Sequence, residues 1–323
     1  MGSLLPSSKF VTVHALEAGW FSMPEKFFVT PLKDINSKKQ VPSLSFLVQH
    51  HDPDSSATTR ILFDLGLRRD IDSYSPSIRR HVETRLPISG LPDVATSLGR
   101  GDLTPDDVDL VILSHLHWDH VGTPRDFTKS QFVVGNGAVD LLQGKQSGGS
   151  HNHFEYDLLP QQRTTELHNP KKLPLDHLKS PVKPKHWTSK LLEQPWRPVG
   201  PFPFGLDVFS DGSLYIIWAP GHSTGHINLL CRKEDATYVY LAGDAAHDIR
   251  LLSGEKSIAL WKESENRVCC IHQDAVAAQE TLSRIRKAWD NSSCLGSVEV
   301  VLAHDPDWAS EAKTLGRFFP GMI

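Results

Sequence analysis

The chain has 323 residues, 39% of them hydrophobic and 22% charged, with a formal net charge of −4. That composition suits a soluble globular protein with a sizeable core, as one large domain or two ordinary ones. A negative balance with no concentrated Lys/Arg excess excludes the electrostatic footprint of a nucleic-acid or membrane binder.

The first ten residues, Met1-Gly2-Ser3-Leu4-Leu5-Pro6 among them, read as a flexible leader without a secretory signal. Gly2 invites a myristoylation reading, but Pro6 sits where that motif needs Ser or Thr. Phe10 to Leu16 alternates like a first strand, and Gly19 to Pro24 follows as a loop of unusually apolar content. Its Trp20, Phe21 and Met23 either cap a core edge or form the wall of an apolar substrate pocket. Val41–Val48 and Arg60–Leu67 are further strands, with His50 to Ser56 between them as a solvated hairpin turn. Helical candidates follow around Ser77 to Arg85 and Leu91 to Leu98, then strands at Val108–Leu113 and Gln131–Val134. From about 144 to 203 no clean period survives, and the segment reads as a long insertion, a candidate lid. Trp187, Trp196, Phe202 and Phe204 within it either fasten it to the core or line a pocket. Leu206 to Phe209, a two-residue Asp211-Gly212 turn and Ser213 to Trp218 predict a hairpin. Strands at Thr237–Ala242 and Val298–Ala303 and a helix over 272–289 complete the chain. Apolar Val276, Ala277, Leu282, Ile285 and Trp289 give that helix its face. No apolar run reaches transmembrane length. Four cysteines, Cys231, Cys269, Cys270 and Cys294, form no framework, as expected of reduced thiols in the cytoplasm.

Histidine is the outlier, at 17 residues. Ser114-His115-Leu116-His117-Trp118-Asp119-His120 offers three imidazoles and a carboxylate just where an apolar strand stops. These are ligand types for a borderline metal such as zinc. An alternating His-x-His cannot all face one core, so packing explains the motif poorly. Three other apolar strands also run into a ligand-type residue: His222 in Pro220-Gly221-His222, Asp244 in Gly243-Asp244, and His304 in Ala303-His304-Asp305. Strand ends gathered along one sheet edge place distant residues in one crevice.

These motifs, with the Asp-x-Gly of Asp64-Leu65-Gly66, resemble the metallo-β-lactamase superfamily over nearly the whole chain. The resemblance implies an α/β fold, the αββα four-layer sandwich, spanning 11–323 as a single domain. It also implies two zinc ions per chain. His115, His117 and His222 would hold one, Asp119, His120 and His304 the other, with Asp244 bridging. A hydroxide shared by two ions would then attack a carbonyl, with Asp119 passing the proton to the leaving group. Asp64 would brace the site loop, and His226 would support it without binding metal. Within the superfamily the chain is most similar to N-acyl homoserine lactonases and fungal γ-lactamases. It departs from the lactonases at His247, where they often carry a tyrosine, and at Gly122-Thr123, where Gly-Gly is common. His247 either donates to the substrate or braces the site from behind. The implied function is opening of a small cyclic ester or amide, a lactone or γ-lactam. A thioesterase using the same site is the alternative, and a non-catalytic metal-binding protein or an RNase Z-like nuclease fits less well. The expected partner is a small-molecule substrate, with a homodimer as the candidate assembly.

Overall fold

The computed structural model describes residues 9–52, 55–145, 154–172, 191, 194–264, 267–290 and 292–323. Most of the leader and, within the insertion, His151, His153, His177, His186 and Trp187 lie outside the described residues.

Two sheets carry the fold. The first contains β1 (Val11–Pro24), β2 (Lys38–His51), β3 (Thr58–Phe63), β4 (Ile88–Ser89), β5 (Leu110–Ile112), β6 (Gln131–Val134) and β7 (Thr164–Glu166). Its strand order is β4-β1-β2-β3-β5-β6-β7, antiparallel through β3 and parallel from there on. The second contains β8 (Arg197–Val199), β9 (Phe202–Asp207), β10 (Leu214–Trp218), β11 (Ile227–Glu234), β12 (Thr237–Leu241) and β13 (Ser297–Val301). Its order is β13-β12-β11-β10-β9-β8, antiparallel except for the parallel pair β12 and β13.

Phe46, Phe63, Ile112 and Val133 of the first sheet pack face to face with Leu206, Ile216, Leu229 and Leu241 of the second. Side chains of that size contribute roughly 1.5–3 kcal/mol each on burial. The outer face of the first sheet, through Leu62, Val111 and Phe132, is covered by the helices Val94–Gly99 and Ala138–Leu142. The outer face of the second, through Tyr240 and Val300, is covered by the helix Ala275–Trp289. The result is the expected four-layer αββα sandwich. β5 is buried on both faces, and accordingly its sequence is continuously apolar rather than alternating. Among the described residues no helix is long and apolar enough to cross a membrane.

Several local expectations are corrected. Gly19 to Pro24 is not a loop: β1 continues through it after an irregularity between Glu17 and Trp20. His50 is not in an exposed turn either. It is the penultimate residue of β2 and buried, stacked on Phe209 at 3.7 Å and 2.8 Å from the Asp211 carboxylate. The Asp-Gly hairpin is wider than two residues, because Asp207 and Asp211 accept from the N–H groups of Gly212 and Ser213. The last long helix starts at Ala275, capped by the Asp274 carboxylate. Its buried stripe is Ala278, Thr281, Leu282, Ile285 and Ala288, leaving Val276 and Trp289 exposed. Within the insertion, β7 and β8 form the far edges of the two sheets. Phe202 is buried, Trp196 packs on the core and donates to His168 O, and Phe204 lies edge-on to Trp218. These aromatics fasten the segment; they do not line the site.

Candidate metal centre

β5, β10, β12 and β13 all end at one edge of the sandwich, and the chain beyond each delivers a polar group to the same crevice. Past β5, Ser114 to His120 turns under Asp64, which follows β3 with a left-handed backbone (φ 61°). The Asp64 carboxylate accepts from Ser114 N at 2.6 Å, from Ser114 Oγ at 2.7 Å and from His120 Nδ1 at 2.8 Å. Past β10, Gly221 (φ 130°) lets the loop sit directly on the helix Ala275–Trp289. A Cβ there would stand 2.2 Å from Ala278 N.

The hydrogen bonds assign the imidazole tautomers. Ser114 Oγ gives its proton to Asp64, so it accepts from His115 Nδ1 at 2.9 Å. His120 Nδ1 donates to Asp64, and His304 Nδ1 donates to Pro42 O at 2.8 Å. Each of the three rings therefore turns Nε2, the lone-pair nitrogen, toward the centre. There the ligand atoms form two groups, one of His115, His117, His222 and Asp244 and one of Asp119, His120 and His304. In the first, His115 Nε2 and His222 Nε2 lie 2.9 and 3.0 Å from the same His117 Nδ1. One nitrogen cannot serve both as a hydrogen-bond partner. In the second, His120 Nε2 and His304 Nε2 each come within 3.2 Å of Asp244 Oδ1 at angles that make no hydrogen bond. Ligand atoms that converge with more neighbours than they can hydrogen-bond, or with none, are what a cation site requires, and this set fits a divalent metal.

Asp244 lies between the groups. Its Oδ2 is 3.3 Å from His222 Nε2 and 3.8 Å from His115 Nε2, while its Oδ1 faces His120 and His304. Asp119 Oδ2 is 3.6 Å from His304 Nε2. Burial, reinforced by neighbouring imidazoles, drives His115 well below the ordinary histidine range; burial does the same to His222. Burial also opposes a proton on His120, but the Asp244 and Asp64 carboxylates outweigh it and hold that ring well above the range. A field that favours a proton there also favours a cation. His226 stays out of the centre: Nδ1 is 3.0 Å from Ala219 O and Nε2 accepts from Asp244 N, with burial pushing the ring down to about 4.

Residues matching the sequence motifs of a known family thus meet in space. The family described as the Metallo-beta-lactamase superfamily matches residues 40–307. The chain belongs to that superfamily. Among its relatives, Gamma-lactamase FDB1 of Fusarium pseudograminearum is 28% identical, over 75% of this chain and 54% of that protein. N-acyl homoserine lactonase AiiB of Agrobacterium fabrum is 23% identical, over 93% of each chain. Cytochrome P450 monooxygenase mpaDE of Penicillium roqueforti is 29% identical over 93% of this chain and 34% of its own length. The chain thus spans about a third of that relative. A crystal structure of a quorum-quenching N-acyl homoserine lactone hydrolase superposes with a TM-score of 0.63 and 17% identity, covering 99% of this chain and 100% of that one. It shares the metallo-β-lactamase fold.

All seven expected metal ligands are in the centre, together with His247, whose Nε2 lies 3.0 Å from Asp244 Oδ2. Phe21 and Met23 line the small pocket above it, and Trp20, on the alternate face of β1, does not. Sequence reading missed Phe28, Arg85 and Ile271 in that lining. It also missed His272, buried with its ring 5.2 Å from His222. None of these sits in a recognisable motif. His272 was read as the first residue of the following helix, and Arg85 as the last of the helical candidate around Ser77 to Arg85.

Proposed function

We propose that this chain is a hydrolase with two zinc ions that opens a small cyclic ester or amide, a lactone or γ-lactam. The observation that carries the reading is the position of Asp244. Its two carboxylate oxygens face separate histidine groups, as a ligand bridging two cations must. Two zinc ions there, held by His115, His117 and His222 and by Asp119, His120 and His304, would polarise a carbonyl and activate water. The names of FDB1 and AiiB support the substrate class.

The protein's own groups divide the remaining work. Asp119 lines the pocket floor and is assigned to take the proton from the attacking water and pass it to the leaving oxygen or nitrogen. His247 is anchored through Nε2 by Asp244, which leaves Nδ1 as the ring nitrogen for a polar atom of the substrate. Phe21, Met23, Phe28 and Trp118 wall the pocket with apolar surface. That surface excludes bulk water and strengthens the electrostatic contacts inside.

The test measures metal content and then rates on an acyl homoserine lactone, a γ-lactam and a thioester, with and without chelator. Activity on the ring substrates that vanishes with chelator and in His115→Ala is expected. Turnover of thioesters alone would move the chain to the thioesterase class, and activity indifferent to His115→Ala would sink the mechanism.

A further inference from the structure

Beside the metal pocket lies a larger cavity of about 540 Å³. The two share two lining residues, Arg85 and Ile271. Arg85 ends the short turn Glu83–Arg85 after the helix Pro76–Val82, and its side chain is only 6% exposed. Its guanidinium carbon lies 5.9 Å from the centre of the Phe28 ring. Among the described residues it makes no hydrogen bond and no ion pair; Asp119 acts on it only from a distance. A buried charge that meets only an aromatic face is costly, and an arginine does not escape by losing its proton. Burial lowers its affinity for that proton, with Asp119 opposing, yet the ordinary value is far above neutrality. The cavity it faces is walled by Phe27 and Trp261, edge to face at 5.0 Å, with Lys26, Lys38 and the acidic Glu263 also in the lining.

We propose that Arg85 anchors a carboxylate carried by the substrate, whose aromatic or alkyl body lies in the adjoining cavity against Phe27 and Trp261. The ligand is then a hydrophobic acid, with its anionic end at the junction of the two pockets and its reacting ring over the metal centre. A planar guanidinium fork matches a carboxylate in two parallel hydrogen bonds. A phosphate dianion fits worse, because its second negative charge adds to the repulsion from Asp119 and Asp244 next to Arg85. The inference rests on the hydrolase reading only for what lies over the metals; the anion site stands on Arg85 and the cavity.

The test therefore reads binding without turnover. Calorimetric titration of the as-purified protein with 4-phenylbutyrate and with the neutral 4-phenylbutyramide compares a charged and an uncharged end on one body. Expected is a 10- to 100-fold preference for the carboxylate, on the order of one charge-assisted pair. Arg85→Gln erases it by weakening the carboxylate alone, Arg85→Lys retains part, and chelator treatment leaves it in place. Thermal melting of both variants checks that they are folded. A preference that survives Arg85→Gln, one that disappears with chelator, or equal or absent binding of the two probes overturns the proposal. A clear preference in a protein inert on lactones and lactams would remove the proposed reaction and leave the anion site intact.

Discussion

Asp64 is the residue whose loss the structure grades most clearly, because it touches no candidate substrate yet holds both ends of the ligand loop Ser114 to His120. Replacing it with alanine leaves Ser114 N, Ser114 Oγ and His120 Nδ1 without their acceptor, all three in the interior. An unsatisfied buried donor costs about 1–3 kcal/mol, more when the lost acceptor was ionised. Alanine also tolerates the left-handed backbone at φ 61° poorly, adding roughly 1 kcal/mol. The terms overlap, so about 4–6 kcal/mol is expected in total, against roughly 5–15 kcal/mol for a whole domain. Asp64→Asn separates the contributions. Asparagine accepts the left-handed backbone and keeps one acceptor oxygen, but its amide faces a donor. Urea unfolding of both variants, with metal content measured in parallel, gives the readout. Expected is a loss of about half as much for Asn as for Ala, and weakened metal retention in both. A loss below about 1 kcal/mol for Asp64→Ala would refute the view that this carboxylate organises the loop.

Other expectations follow from single contacts. His304→Ala removes one of the two imidazoles facing Asp244 Oδ1, so metal content measured by plasma emission is expected to fall by about one ion per chain. Unchanged content would contradict the proposed second site. Gly221→Ala drives a Cβ into Ala278 N at 2.2 Å, and a loss of about 3 kcal/mol or more in urea unfolding is expected. A loss under about 1 kcal/mol would mean the His222 loop lifts freely off its helix. Asp211, though burial alone would raise its pKa, is held down to about 2 by His50 and Ser213 against an ordinary 3.8. Its folded value is depressed, so its contribution is present above about pH 4 and fades as pH falls toward 2. With screening it amounts to about 1–2 kcal/mol. The stability gap between the native chain and Asp211→Asn should therefore close across that window; a gap that persists at pH 2 would contradict the assignment.

The candidate metal ligands could be picked out from sequence because each sits just past an apolar strand, in short motifs whose residue types have few other uses. Strand periodicity and a carboxylate–imidazole alphabet are local properties, and local properties survive in one dimension. The same holds for the layered fold, since the buried parallel strands announce themselves as unbroken apolar runs. Only the tertiary structure decided the rest. It put Trp20 off the pocket and Phe21 and Met23 on it, because β1 continues where a loop was expected and alternate side chains then face opposite sides. It turned His50 inward to Asp211, more than 150 residues away, a pairing no spacing rule encodes. It brought Arg85 and His272 beside the centre from segments without any motif, through packing against Phe28 and His222. Ligand chemistry is written locally because coordination needs particular atoms. The pocket that chooses a substrate is built from ordinary residues, and only long-range packing determines which of them face it.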